Sequence, residues 1–297
     1  MAAMRDAFGR KLEYLRLSVT DRCNFRCVYC LPEGCPKGSG EEPLSVEEIE
    51  RLVRAFAALG VWKVRLTGGE PTLRPDIADI VRAVAGVAAL NVSVDSLDAE
   101  RFARVTGGRL ERVMAGVEAA LATGIPSVKV NAVLMAGMED ELDGFLDRTR
   151  RAAVTVRFIE LMETGDNGDF FARHHLSTDV VRRRLEERGW VRRVRDASDG
   201  PAVTYAHGDH TGRVGLIAPY APGFCDSCNR VRVSSTGGLH LCLFGDRAIP
   251  LRHYVRDGHH HRDLVELIAG CVAEKPESHL LRLGSSGSTA TLAQLGG

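Results

Sequence analysis

Cys23, Cys27 and Cys30 stand in C-x3-C-x2-C spacing, with Tyr29 between the last two, directly after Arg16-Leu-Ser-Val-Thr-Asp-Arg. Three protein thiolates can hold a 4Fe–4S cluster and leave one iron without a protein ligand. An open coordination site separates a reactive metal centre from a structural one. The spacing differs from the paired C-x2-C of zinc ribbons and from the ferredoxin run that supplies all four cysteines. A zinc site or plain buried cysteines is the competing reading. A second set follows late in the chain: Cys225-x2-Cys228, then Cys242 after thirteen residues. One C-x2-C with a single later cysteine is an incomplete zinc site, so three ligands again suggest a cluster with an open iron. Arg230 and Arg232, two apart, face the same way in an extended segment, as donors to an anion beside that cluster. Of the two remaining cysteines, Cys271 lies in an apolar helical pattern and reads as a buried small hydrophobe. Cys35, in a Gly/Pro-rich loop, takes no role.

The elements that position these residues alternate. Residues 12–20 put Leu15, Leu17 and Val19 on one face and Arg16, Ser18 and Thr20 on the other, a strand delivering its end to the first cysteine loop. Ser45-Val-Glu-Glu48 is a capping box opening an amphipathic helix that stops at Gly60. The strand Val61–Thr67 breaks into Gly68-Gly69-Glu70-Pro71, and residues 76–90 read as one helix-like segment. Asn91–Asp95 alternates again, a helix covers about 109–123, and Ser127–Asn131 is the next strand. A helix over roughly 139–151 and the strand Val154–Met162 close the series. Beyond residue 163 the pattern changes to a loop at Thr164–Asp169, a basic helix over 178–189 and short strands near 190–195, 202–206 and 213–217. Residues 262–273 form an amphipathic helix before a Ser/Gly/Thr-rich end.

Strands alternating with helices predict βαβ units and a parallel sheet. Parallel strands covered on both faces read as continuous apolar runs. Here most carry one polar face: Arg16/Ser18/Thr20, Lys63/Arg65/Thr67, Asn91/Ser93/Asp95, Lys129/Asn131. A parallel barrel with a polar lumen fits this better than an antiparallel sheet with one wet face. The chain has only five lysines, Lys11, Lys37, Lys63, Lys129 and Lys275, and two of them point into that lumen beside Arg16 and Arg65. Buried like charges are costly unless compensated. The pattern therefore predicts a bound polyanion, a triphosphate being the obvious candidate. Both the cysteine loop and the GGEP turn follow strand C-termini, the active-site face of a (β/α) barrel.

The chain's 297 residues suffice for one large α/β domain or one with an appendage, and the formal net charge is zero. Nothing global points to nucleic acid or a membrane surface. Arg182–Arg184, Arg192, Arg193 and Arg195 have glutamates interleaved and read as a solvated face. No signal peptide or membrane-length apolar run is present, so the cysteines read as metal ligands in a reducing cytoplasm. His259–His261 cannot share one helix face and read as surface residues. The closing Gly296-Gly297 can enter a narrow channel because it has no side chains.

Over essentially its whole length the chain resembles the GTP 3′,8-cyclases, radical S-adenosylmethionine enzymes of molybdenum cofactor biosynthesis. The matching residues are the C-x3-C-x2-C loop, Lys63-x-Arg65-x-Thr-Gly-Gly-Glu-Pro, Asn91-Val-Ser-Val-Asp-Ser, Val128-Lys-Val-Asn, Arg157-Phe-Ile-Glu, Cys225-x2-Cys228-Asn-Arg-x-Arg with Cys242, Lys275-Pro-x-x-His279 and the Gly-Gly end. The resemblance implies a partial (β/α) TIM-like barrel over residues 1–163 and a C-terminal α+β domain over 164–297 carrying a second cluster. It implies two 4Fe–4S clusters, one on Cys23, Cys27 and Cys30, the other on Cys225, Cys228 and Cys242. S-adenosylmethionine would be contacted by Tyr29, Gly69, Ser93 and Met162. GTP would be contacted by Arg16, Arg65, Lys129, Arg230 and Arg232, with Lys63 and Arg157 helping. Reduced flavodoxin or ferredoxin as electron donor, cyclic pyranopterin monophosphate synthase downstream, a homodimer and a cytoplasmic location follow from the same resemblance.

The chain departs from that family at one place. The family carries a strand ending in Thr-Thr-Asn-Gly, plus a helix, between the GGEP unit and the Asn-Val-Ser-Val-Asp strand. Here residues 76–90 leave room for a single helix, so about one βα unit and a GTP-contacting threonine are absent. A middle strand cannot be lost without closing or gapping the sheet. Two other readings compete with this one: a peptide-modifying radical enzyme with an auxiliary cluster, and a non-catalytic iron–sulfur or zinc regulator.

Overall fold

The computed structural model describes residues 4–35, 41–84, 86–194, 200–256, 260–293 and 295–296. Lys37, Arg195, His259 and Gly297, singled out above, lie outside the described residues. In chain order the elements are β1 (Tyr14–Ser18), α1 (Val46–Ala58), β2 (Lys63–Thr67), α2 (Ile77–Ala83), β3 (Leu90–Ser93), α3 (Ala99–Thr106), α4 (Leu110–Ala122), β4 (Val128–Leu134), α5 (Leu142–Arg151) and β5 (Val154–Glu160). After these come α6 (Gly168–His174), α7 (Asp179–Glu187), β6 (Val191–Arg192), β7 (Val203–Ala206), β8 (Arg213–Ile217), β9 (Arg230–Val233), β10 (Gly238–His240), β11 (Ile249–Pro250), α8 (Arg252–Val255) and α9 (His261–Val272).

The strands make two sheets, ordered β11-β10-β9-β1-β2 and β3-β4-β5-β8-β7-β6. The β2-β1-β9 and β3-β4-β5-β8 runs are parallel, while the outer strands turn antiparallel. The architecture is a partial barrel of mixed α/β type, open between β2 and β3. No ladder joins those two strands among the described residues, so losing the middle strand gaps the wall rather than closing it. The strands beside the seam show the cost: β2 is only half-buried throughout, whereas β4 alternates buried and half-buried along its length.

Each sheet has its own core. Leu15, Leu17, Val231 and Val233 of the first pack against Ile49, Leu52, Phe56 and Ile268 of the helices outside it. Val130, Val156 and Phe158 of the second pack against Phe102, Val117, Phe145 and Leu185. Phe158 meets Phe145 edge-to-face at 5.5 Å, and truncating it to alanine would cost about 3–5 kcal/mol. The predicted capping box is present: Glu48 N donates to Ser45 Oγ, and Ser45 N donates to Glu48 Oε2 at 2.8 Å.

Three local expectations need correcting. The run over 76–90 is not one helix: α2 stops at Ala83, because the chain turns at Gly86 with φ +95. The loop expected through Asp169 ends sooner, since Asn167 occupies the N-cap of α6. Cys271 is half-buried on α9, packed against the first core without lying inside it. The structure also adds α3, started by Asp98, whose side chain accepts from Arg101 N at 2.7 Å. Among the described residues no helix is long and apolar enough to cross a membrane.

Candidate active site

β1 delivers the first cysteine loop. Gly69 N donates to Thr20 O at 2.9 Å and Glu70 N to Arg22 O at 2.8 Å, so the GGEP turn lies directly on that loop's backbone. A Cβ on Gly68 would stand 2.1 Å from Thr20 O, and one on Gly69 2.2 Å from Arg22 O. Only glycines permit this approach, which gives the Gly-Gly pair a physical reason. A helical turn, with Cys30 N and Leu31 N both donating to Cys27 O at 2.9 Å, brings Cys27 and Cys30 together.

Tyr29 is fixed from behind. Its hydroxyl donates to Asp95 Oδ2 at 2.7 Å, while Asp95 Oδ1 accepts from Val133 N at 2.8 Å. Burial raises the Asp95 carboxyl to about 6. Burial likewise pushes Cys30 up to about 11, and lifts Cys23 and Cys27 above the ordinary thiol range, with Asp95 adding to the effect on Cys27. Buried thiols held this high stay protonated in water, and coordination to iron is what draws the proton off. The three thiols lie near enough to influence one another's ionisation, and their chemistry fits a cluster, although among the described residues no three His, Cys, Asp or Glu side chains close into a metal-holding group. The predicted S-adenosylmethionine contacts share that rim: Gly69 follows β2, Ser93 ends β3 and Met162 follows β5.

Asn167 was not foreseen from the sequence. Its Nδ2 donates to Tyr29 O and to Met162 O, both at 3.1 Å, and its Oδ1 accepts from Thr164 N at 2.8 Å. It ties the cysteine loop to the segment after β5. An asparagine in a Gly/Asp-rich loop looks like turn chemistry, so nothing local marks it out. Glu160 does not face the lumen: it accepts from Thr178 Oγ1 at 3.2 Å and lies 2.8 Å from His175 Nε2, bracing α6 and α7.

The second cysteine loop runs into β9, which lies beside β1. Arg65, Arg16 and Arg232 stand in one register row across β2, β1 and β9, and Lys63, Tyr14 and Arg230 stand in the next. Asn91 and Lys129 share a row across β3 and β4, and Asn131 is level with Arg157. The structure therefore gathers every predicted cation on the inner faces of the two sheets. The more buried ion pairs of the described residues, Arg10–Asp6, Arg74–Asp76, His175–Glu160 and Arg252–Glu48, involve none of these cations. Arg230 Nε and Arg232 Nε are buried without a hydrogen-bond partner among the described residues. Burial and the charge of Arg65 bring Arg157 down to about 9; burial and Arg230 bring Arg232 down to about 10. Both remain charged at neutral pH, an arrangement that a polyanion would relieve.

Around the second cysteines the electrostatics reverse. Burial alone would raise Cys228, but Arg230, Lys275 and Arg232 outweigh it and bring the thiol to about 6. Against the same effect of burial, hydrogen bonds from His279 and Ser278 bring Cys225 to about 7. Lys275 is itself buried, its Nζ donating to Leu241 O. The Lys275-Pro-x-x-His279 motif thus supports this site, Lys275 by its charge and His279 by hydrogen bonding, a role the sequence did not reveal. Cys35 Sγ makes only a 3.4 Å contact with Asp21 O.

The tail enters the lumen as expected of a Gly-Gly end. Arg16 Nη2 donates to Gly296 O at 2.7 Å, and a Cβ on Gly296 would stand 2.0 Å from Thr67 Oγ1. The backbone at Leu292 and Ala293 donates to the Cys30 sulfur.

Known proteins share this plan. The profile of the Radical SAM superfamily matches residues 17–89, ending at the seam before β3, and that of Molybdenum Cofactor Synthesis C matches residues 154–281. Proteins named GTP 3′,8-cyclase from Pectobacterium atrosepticum and Klebsiella pneumoniae are 47% and 46% identical, covering 100% and 99% of this chain and equal shares of their own. The first alignment spans 329 positions against 297 residues, leaving at least 32 without a residue of this chain, about one βα unit. Among solved structures, Streptococcus suis SuiB bound to S-adenosylmethionine matches with a TM-score of 0.62 at 13% identity, covering 92% of this chain and 67% of its own, a likeness of fold. With full-length relatives at this identity and cysteine loops on the expected strand ends, the chain belongs to the GTP 3′,8-cyclase family of radical S-adenosylmethionine enzymes.

Proposed function

We propose that the chain catalyses the cyclisation of GTP to (8S)-3′,8-cyclo-7,8-dihydroguanosine 5′-triphosphate, the first step of molybdenum cofactor biosynthesis. The observation that carries this reading is the double row Lys63/Tyr14/Arg230 and Arg65/Arg16/Arg232, set between the two cysteine loops. Cys23, Cys27 and Cys30 would hold a 4Fe–4S cluster which, together with S-adenosylmethionine, would supply the radical chemistry that removes the ribose C3′ hydrogen. The chain's own residues position the reactants. Tyr29, Gly69, Ser93 and Met162 line the cofactor, with Tyr29 immobilised by Asp95. Arg16, Arg65, Lys129, Arg230 and Arg232 hold the triphosphate, aided by Lys63 and Arg157. Cys225, Cys228 and Cys242 would hold a second 4Fe–4S cluster, which would supply a binding site for the guanine beside Arg230 and Arg232. Met162 and the tail close the rim, which keeps water from the radical.

Residues 1–163 then carry the radical-generating cysteines and most of the triphosphate contacts, and residues 164–297 carry the second cysteine group with Arg230 and Arg232. The finer expectations go with this reading: a reduced flavodoxin or ferredoxin as donor, a cyclic pyranopterin monophosphate synthase consuming the product, a cytoplasmic homodimer. The test is anaerobic incubation of iron-loaded protein with GTP, S-adenosylmethionine and dithionite. GTP-dependent 5′-deoxyadenosine together with the cyclised nucleotide is expected. Cofactor cleavage without that nucleotide would show that the open seam has cost the chemistry. Zinc in place of iron in anaerobically purified protein would sink the enzyme reading.

A further inference from the structure

The seam between β2 and β3 is crossed by one side chain whose placement the cation rows do not explain. Arg65 Nη2, on β2, donates to Asn91 Oδ1, on β3, at 3.2 Å. The same oxygen accepts from Arg157 Nη2, on β5, while Arg157 Nε donates to Asn131 Oδ1 at 2.8 Å. A single carboxamide oxygen thus gathers two guanidinium groups from two sheets that share no ladder here. Its two lone pairs allow this, although the two cations repel. A carboxylate would bind both more strongly, but it would also cancel their charge. Asparagine holds them without neutralising either.

We propose that Asn91 is the positioning residue that stands in for the missing wall: it fixes Arg65 and Arg157 across the seam at full charge, ready for the triphosphate. The proposal rests on the reading of the lumen as the GTP site. It separates Asn91 from a mere strut between sheets, because a strut would work as well or better with a carboxylate.

Asn91→Asp, nearly isosteric, gives the test. The variant should unfold at higher temperature than the wild type, because the carboxylate pairs with both guanidiniums, yet bind GTP about tenfold or more weakly. The thermal upshift produced by inorganic triphosphate should shrink in parallel, and S-adenosylmethionine affinity should not change. Asn91→Ala, lacking the acceptor, should lower both the unfolding temperature and GTP affinity, the latter about threefold to tenfold. If Asn91→Asp is more stable but binds GTP as the wild type does, Asn91 is a strut and the proposal falls. If Asn91→Asp is no more stable, the contact across the seam is overturned. Wild-type protein that takes up neither GTP nor triphosphate overturns the lumen reading and the proposal with it, even where Asn91→Asp still gains stability.

Discussion

The two cysteine groups carry three thiols each and sit in opposite fields. Around Cys23, Cys27 and Cys30 the neighbours are apolar or acidic, with Asp95 and Glu70 opposing ionisation. Around Cys228 they are cationic, Arg230, Arg232 and Lys275, and at Cys225 His279 and Ser278 donate hydrogen bonds. Ligand count therefore does not fix the task. A site poor in positive charge disfavours adding an electron and suits a strong reductant, whereas a site rich in it favours anionic ligands and an anionic substrate beside it. The comparison teaches that the two cysteine groups are separated electrostatically, the first beyond the C-terminal end of β1 and the second by its N-terminal end, where Tyr14 N donates to Asn229 O.

The contrast can be broken most directly at the cysteines. Cys27→Ala should abolish 5′-deoxyadenosine formation while keeping about half the iron, whereas Cys228→Ala should keep cofactor cleavage and lose the cyclised nucleotide. Loss of all iron in either variant would mean that the sites do not assemble independently. The next effect is in the iron-free protein. A thiol lowered to about 6, as at Cys228, is thiolate above that pH, and one raised to about 11, as at Cys30, is thiol below it. Iodoacetamide at pH 8 should therefore label Cys228 faster than Cys30, by about tenfold once the lower nucleophilicity of the less basic thiolate is allowed for, read by peptide mass spectrometry. Equal rates would erase the distinction between the two fields. Arg230→Ala should weaken GTP binding by about ten- to a hundredfold, measured by calorimetry, with both clusters intact. Iron loss in that variant would count against a substrate role. Smallest is Asn167→Ala, which should weaken S-adenosylmethionine binding about threefold to tenfold and leave GTP binding unchanged. Equal losses for both ligands would make Asn167 a general prop.

Much of the site was legible because it is local. The strand alternation placed Arg16, Arg65 and Lys129 on inner faces, and the Ser45–Glu48 cap fixed where α1 starts. The missing βα unit was visible as an interval too short between Pro71 and Asn91, and the gap between β2 and β3 bears it out. What escaped were contacts between distant segments. Asn167 reaches Tyr29 across 138 positions, and Arg65 reaches Asn91 across the seam. Nothing in the sequence says that β8 continues the second sheet beside β5, or that β9 pairs with β1 in the first.

By itself the sequence determined which cysteines neighbour one another, because C-x3-C-x2-C and C-x2-C keep their sulfurs within a turn or two whatever the rest of the chain does. It also determined which strand faces are cationic, because side chains alternate with period two. Only the tertiary structure decided that those faces share one lumen, that Asn91 spans the open seam, and that one cysteine set is acidic in its surroundings and the other cationic. Electrostatic interaction depends on distance and burial, and both are set by register and packing between segments that the chain order keeps far apart.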